Sequence, residues 1–181
     1  MVDANEKADL VLVTHSHSDH MKKELIAQLS GPETRVLAAP KAARELGGTA
    51  GSIVPGGQAE LGGIKVRAVH AYNPTGLVKF HKKGHCLGFV IETNGLRLYH
   101  AGDTGLIPEM RQLGPIDLAM VPIGGTFTMD VDEAAEAVRW IRPRVTIPMH
   151  NLRTSRGALA ERLGSEYRVV VLEAGQSFTL E

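Results

Sequence analysis

Asn94-Gly95 lies between two apolar runs of β character, residues 87–93 and 96–100. A two-residue hairpin turn of the primed type needs both central residues at positive φ, which Asn and Gly tolerate, and its twist matches that of the flanking strands. An antiparallel ribbon is therefore expected at the centre of the chain, and other elements must cover it, because an isolated hairpin is marginal in water. A second hairpin is expected about Gly62-Gly63, joining residues 59–61 to 64–70, with Ile64, Val66, Ala68 and His70 on one face. Residues 10–14 and 35–39 are apolar enough to be strands buried on both sides. Further strands are expected over 117–123, 144–148, 168–172 and 177–180.

Helical signals fall between these runs. Met21, Leu25, Ile26 and Leu29 make one stripe, closed by Ser30-Gly31-Pro32, and residues 41–46 form a short helix ended by Gly47-Gly48. Residues 107–113 read as another. Asp130-Val131-Asp132-Glu133 is a capping box opening a helix to Ile141, and 155–163 is the last helix. Hairpins interspersed with strand–helix units imply two mixed sheets flanked by helices, an α/β or α+β sandwich. At 181 residues, one domain over 1–181 is expected.

Composition narrows the function. Twenty Lys+Arg balance twenty Asp+Glu, which argues against a dedicated nucleic-acid or anionic-membrane binder. The N-terminal residues have neither the basic patch nor the apolar stretch of a signal peptide. The single cysteine, Cys86, excludes an internal disulfide framework and fits a reducing cytosol, so a cytoplasmic protein is expected. Histidine is the unusual residue, with eight in the chain.

Three of those histidines and one carboxylate occupy His15-Ser16-His17-Ser18-Asp19-His20, immediately after the first expected strand. His15 and His17, two apart, point to the same side, while Asp19 and His20 lie on the turn into the helix. Imidazole and carboxylate are ligands for zinc and related divalent ions, so this run suits one or two metals. His70, Asp103 and His150 each stand at or just past the end of another expected strand, where further ligands would be needed.

With Ala101-Gly102-Asp103-Thr104 and Pro148-Met149-His150, the motif resembles that of the metallo-β-lactamase-fold hydrolase superfamily. Tyr99-His100-Ala101-Gly102-Asp103-Thr104 and residues 122–129 are similar to its metal-dependent hydrolase branch related to ascorbate-phosphate-lactonase-like proteins. The likeness runs from about Ala8 to the C-terminus. It implies a four-layer αββα sandwich, an α/β fold, and two divalent metal ions. Carried over residue by residue, it assigns one metal to His15, His17 and His70 and the other to Asp19, His20 and His150, with Asp103 bridging. Zinc is the expected ion, with manganese or iron as alternatives. The reaction implied is attack by a metal-bridged hydroxide on an ester, lactone, amide or phosphodiester of a small substrate, with Asp19 and Asp103 as catalytic carboxylates.

Around that centre, His100 is expected to orient a ligand by hydrogen bonding. Asn73, His81, Thr126, Phe127 and Thr128 are candidate substrate contacts, and His85 a weaker one. The resemblance also implies a further hairpin ahead of the first motif, whereas Met1 lies fourteen positions before His15. An N-terminally shortened fold is thus expected, its open edge covered by a second copy or another partner. Two other functions compete: an RNA-processing nuclease of the same fold and a metal-binding protein without catalysis. Met21-Lys22-Lys23 after the motif and the zero net charge weigh against the nuclease.

Overall fold

Side-chain alternation along the strands sorts the apolar residues into three clusters, and these define four layers in the computed structural model, which describes residues 7–48, 50–74 and 80–180. Strands β1 (Leu10–Val13), β2 (Arg35–Ala38) and β3 (Gly51–Ser52) form a sheet in that order, parallel at both junctions. Parallel neighbours need crossovers, and helices α1 (Lys23–Leu29) and α2 (Pro40–Leu46) supply them. The larger sheet runs sequentially through β4 (Gln58–Leu61), β5 (Ile64–Ala71), β6 (Cys86–Thr93), β7 (Leu96–His100), β8 (Leu118–Pro122) and β9 (Val145–Met149). It is antiparallel as far as β7 and parallel from β7 to β9, so it is the mixed sheet of the two.

Val13, Ala42 and Ala43, with Val11 and Ile26, pack the first helical layer on the small sheet. Leu37, Val66, Ala68, Leu87 and Phe89, with Leu10 and Leu12, fill the space between the sheets. Val90, Tyr99, Ala119 and Val121 face the other way, onto α3 (Val131–Ile141), α4 (Ala158–Leu163) and the 3₁₀ turn Pro108–Gln112. Neighbours Phe89 and Val90 thus belong to different interfaces, as the two-residue period of a strand requires. The αββα sandwich expected from the sequence is the fold.

The local signals hold where they were strongest. Thr93 pairs with Leu96 across Asn94 (φ 50°) and Gly95 (φ 76°). The Asp130 carboxylate accepts from Glu133 N (2.8 Å) while Asp130 N donates to the Glu133 carboxylate (3.2 Å), which satisfies donors at the start of α3. Two expected strands do not form among the described residues. Residues 168–172 are reduced to a parallel bridge between Thr146 and Val169, flanked by bonds from Thr146 N to Arg168 O and from Val170 N to Thr146 O, and residues 177–180 join no ladder. Apolar alternation alone did not supply them with a long partner. No helix among the described residues is long and apolar enough to cross a membrane.

Candidate metal centre

The centre lies beyond the ends of four strands. After β1 the chain turns at residues 17–21, where His20 N and Met21 N both donate to His17 O (3.0 and 2.8 Å). That turn gathers the three imidazoles of the motif. The His15 ring centroid lies 4.5 Å from that of His17 and 4.2 Å from that of His20. Thr14 Oγ1 meets His15 Nδ1 at 3.0 Å, which leaves Nε2 to face inward. His15 Nε2 lies 3.1 Å from His17 Nδ1.

Asp103 occupies the middle. It is 3% exposed, and its Oδ2 lies 3.3 Å from His150 Nε2, 3.4 Å from His20 Nε2, 3.5 Å from His81 Nε2 and 3.9 Å from His15 Nε2. The turn that delivers it depends on Gly102, at φ +65°, where a Cβ would run into the Leu87 carbonyl oxygen. His100 Nδ1 accepts from Gly102 N (3.1 Å), so His100 shapes the backbone leading to Asp103 rather than bonding a ligand ring. His150 follows β9 at φ +47°, a conformation that is costly outside glycine and that clusters at functional sites. Asp19 is the open side of the centre, 66% exposed, with Oδ2 3.4 Å from His20 Nε2 and 3.9 Å from His150 Nε2.

Three donor sets emerge within 4.8 Å: His15, His17 and His81; His15, His20 and Asp103; and Asp19, His20 and His150. Six of the seven ligands expected from sequence are therefore gathered. The seventh, His70, is in none of these sets; His81, expected to touch substrate, stands beside His15 and His17 instead. The reason is the length of β5. It runs on to Ala71, holding His70 in register opposite Leu87, whereas His81 lies beside His15 and His17. Asn73 N donates to His81 O (2.8 Å).

Of the remaining expected contacts, Asn73 and Thr128 bond within the protein. Asn73 spends its amide on His81 and on Phe127 O, Thr128 is buried with its hydroxyl 3.4 Å from Met129 O, and His85 is exposed. Thr126 is exposed, and Phe127 packs edge-on against Phe80, with centroids 4.5 Å apart. Cys86 is no ligand in any of these sets, and burial pushes its thiol up to about 12.

Electrostatics suit cation binding. Burial, followed by the neighbouring His20, lowers the His15 pKa to about 3, and burial likewise lowers that of His81. Both rings are held neutral, the form that ligates a metal. Burial works to raise the Asp103 carboxyl, but the hydrogen bond with His20 and the fields of His20, His150 and His15 outweigh it and keep the group below its ordinary value. The hydrogen bond with Asp103 raises His20. His81 Nε2 and Asp103 Oδ1 are buried without a hydrogen-bond partner, although buried polar atoms nearly always have one. Imidazole and carboxylate donors converging on such orphaned atoms fit a divalent cation.

An αββα sandwich with clustered His and Asp donors at its strand ends defines a class of metal-binding proteins, and comparison with known proteins agrees. Residues 1–150 match the model of the Beta-lactamase superfamily domain. The UPF0173 metal-dependent hydrolase of Thermoplasma acidophilum is 40% identical over 149 residues, which cover 80% of this chain and 66% of that protein. A Parabacteroides distasonis crystal structure superposes with a TM-score of 0.88 at 34% identity, covering 93% of this chain and 79% of the other. Igni18, a metallo hydrolase from Ignicoccus hospitalis, gives a TM-score of 0.82 at 30% identity, covering 98% and 81%. The chain belongs to the metallo-β-lactamase-fold hydrolase family.

Proposed function

We propose that this protein is a hydrolase with a two-metal centre, acting on an ester, lactone, amide or phosphodiester of a small molecule. The observation that carries this reading is a single buried oxygen, Asp103 Oδ2, within 3.3–3.9 Å of four imidazole Nε2 atoms. One carboxylate shared by the donor groups is the arrangement two neighbouring cations need. His15, His17 and His81 would hold one ion and Asp19, His20 and His150 the other, with Asp103 between them; the all-imidazole set suits zinc. Bound cations would supply Lewis acidity and an activated water at neutral pH.

The residues themselves divide the work. Asp103, itself buried and held ionised, stands among the four imidazoles and keeps them gathered. Asp19, on the exposed side, is placed to accept a proton from an attacking water and to return it to a leaving group. Thr126 and Phe127 lie on the loop after β8 and form the substrate side. The absence of excess positive charge favours a small substrate over RNA.

Metal content of the full chain after zinc reconstitution, together with turnover of a panel of lactones, phosphodiesters and RNA, tests the reading. About two ions per chain are expected, with turnover in the small-molecule arm. Asp103→Ala is expected to lower that turnover by more than about 100-fold, beyond the usual cost of losing a residue that only supports a ligand. Full turnover in Asp103→Ala, or fewer than one ion per reconstituted chain, would overturn it.

A further inference from the structure

His81 is 1% exposed, and the direction of its ring is set by one neighbouring side chain. Asn73 Oδ1 accepts from His81 N (3.1 Å) and lies 3.0 Å from His81 Nδ1, while Asn73 Nδ2 donates to Phe127 O (2.9 Å). Phe127 O in turn lies 3.0 Å from His81 Nδ1. The amide has one workable orientation, since a backbone N–H only donates and a backbone carbonyl only accepts. His81 Nδ1 therefore faces two acceptors and carries the hydrogen. The lone pair is left on Nε2, which is buried, has no hydrogen-bond partner, and points at Asp103 and the His15–His17 pair.

We infer that Asn73 is a positioning residue for the three-histidine cation position: it fixes both the tautomer and the place of His81, and it ties His81 to the β8–α3 connection through Phe127. This rests on the metal reading above. Among the described residues neither His15 nor His17 has an equivalent amide clamp, so the dependence is specific to His81. Partners that orient a metal-bound histidine typically contribute 10- to 100-fold in affinity.

The experiment pairs zinc competition against a chelator with ¹⁵N NMR of the histidine rings, on the full chain of the wild type, Asn73→Ala and Asn73→Asp. The wild type is expected to show His81 protonated at Nδ1, before and after zinc. Asn73→Ala is expected to weaken one zinc position by about 10- to 100-fold, leave the other in place, and populate the second His81 tautomer. Asn73→Asp, which keeps an acceptor oxygen for His81, is expected to restore the Nδ1–H tautomer; this measurement stands even if the alanine variant does not fold. Wild-type His81 protonated at Nε2 would overturn the inference, as would two zinc affinities unchanged in Asn73→Ala. A wild type that binds no zinc yet shows the Nδ1–H tautomer would instead overturn the metal reading on which the inference depends.

Discussion

At the scale of single residues, the informative contrast is between His70 and His81. Replacing His81 by Ala is expected to weaken one cation position by more than about 100-fold, since it removes a donor, whereas His70→Ala should change affinity by less than about 10-fold. Chelator competition with zinc measures both, and the reverse ranking would return His70 to the centre. The grouping of His15, His17, Asp19 and His20 was legible in the sequence because one short turn holds them all. Asp103 and His150 were legible as strand-end residues next to tell-tale small or proline-bearing segments. His81 was visible as a histidine, but its duty was not. That depends on where β5 stops and on the Asn73 clamp, and neither fact is written in local spacing. The same holds for Asn73, whose amide was expected to meet substrate and is spent instead on protein partners.

At the scale of elements, Asp117 links β7, β8 and β9. Its N–H donates to Arg97 O (2.8 Å), its Oδ2 accepts from Arg97 N (2.8 Å), and its Oδ1 accepts from Arg144 (3.2 Å). The bond from Arg97 N, followed by Arg144, holds this carboxyl below its ordinary value, against the opposing effect of burial. A depressed carboxylate stabilises the fold above the unfolded-chain pKa of about 3.9, and that contribution is lost as pH falls through the folded-state value. Asp117→Asn is therefore expected to cost about 1 kcal/mol near neutral pH and to flatten the loss of stability below about pH 4. Urea unfolding of the metal-free protein across pH 3–7 checks this; parallel stability curves for the two proteins would count against it. Elements with local signatures were readable in advance: the Asn94-Gly95 hairpin and the α3 capping box need only their own residues. The weak points were those that depend on distant partners. Residues 168–172 alternate like a strand yet, among the described residues, make one bridge, to Thr146, and β3 is two residues paired with β2.

At the scale of the molecule, the donors come from both sheets. Residues 15–20 follow β1 of the small sheet, while His81, Asp103 and His150 follow or connect strands of the large one. A ligand that binds only the folded state stabilises it by about 4 kcal/mol when present at a thousand times its dissociation constant. For a chain of this size each kcal/mol is worth about 2–4 °C, so adding a chelator to zinc-reconstituted protein is expected to lower the thermal midpoint by roughly 10 °C. A scanning calorimetry trace indifferent to the chelator would show that the sheets do not rely on the cation. The sandwich itself was legible from alternating hairpins and strand–helix units, whereas the joining of the two sheets through shared donors was not, because contact between residues 17 and 81 leaves no mark in the intervening sequence. The spread of donors along the chain also has a consequence for biosynthesis. His15, His17 and His81 leave the ribosome before Asp103, and His150 emerges last, after β9, so the three-histidine group is complete before the group that His150 completes. Until its last third has been translated, the nascent polypeptide can offer a metal its three-histidine set but not the set completed by His150.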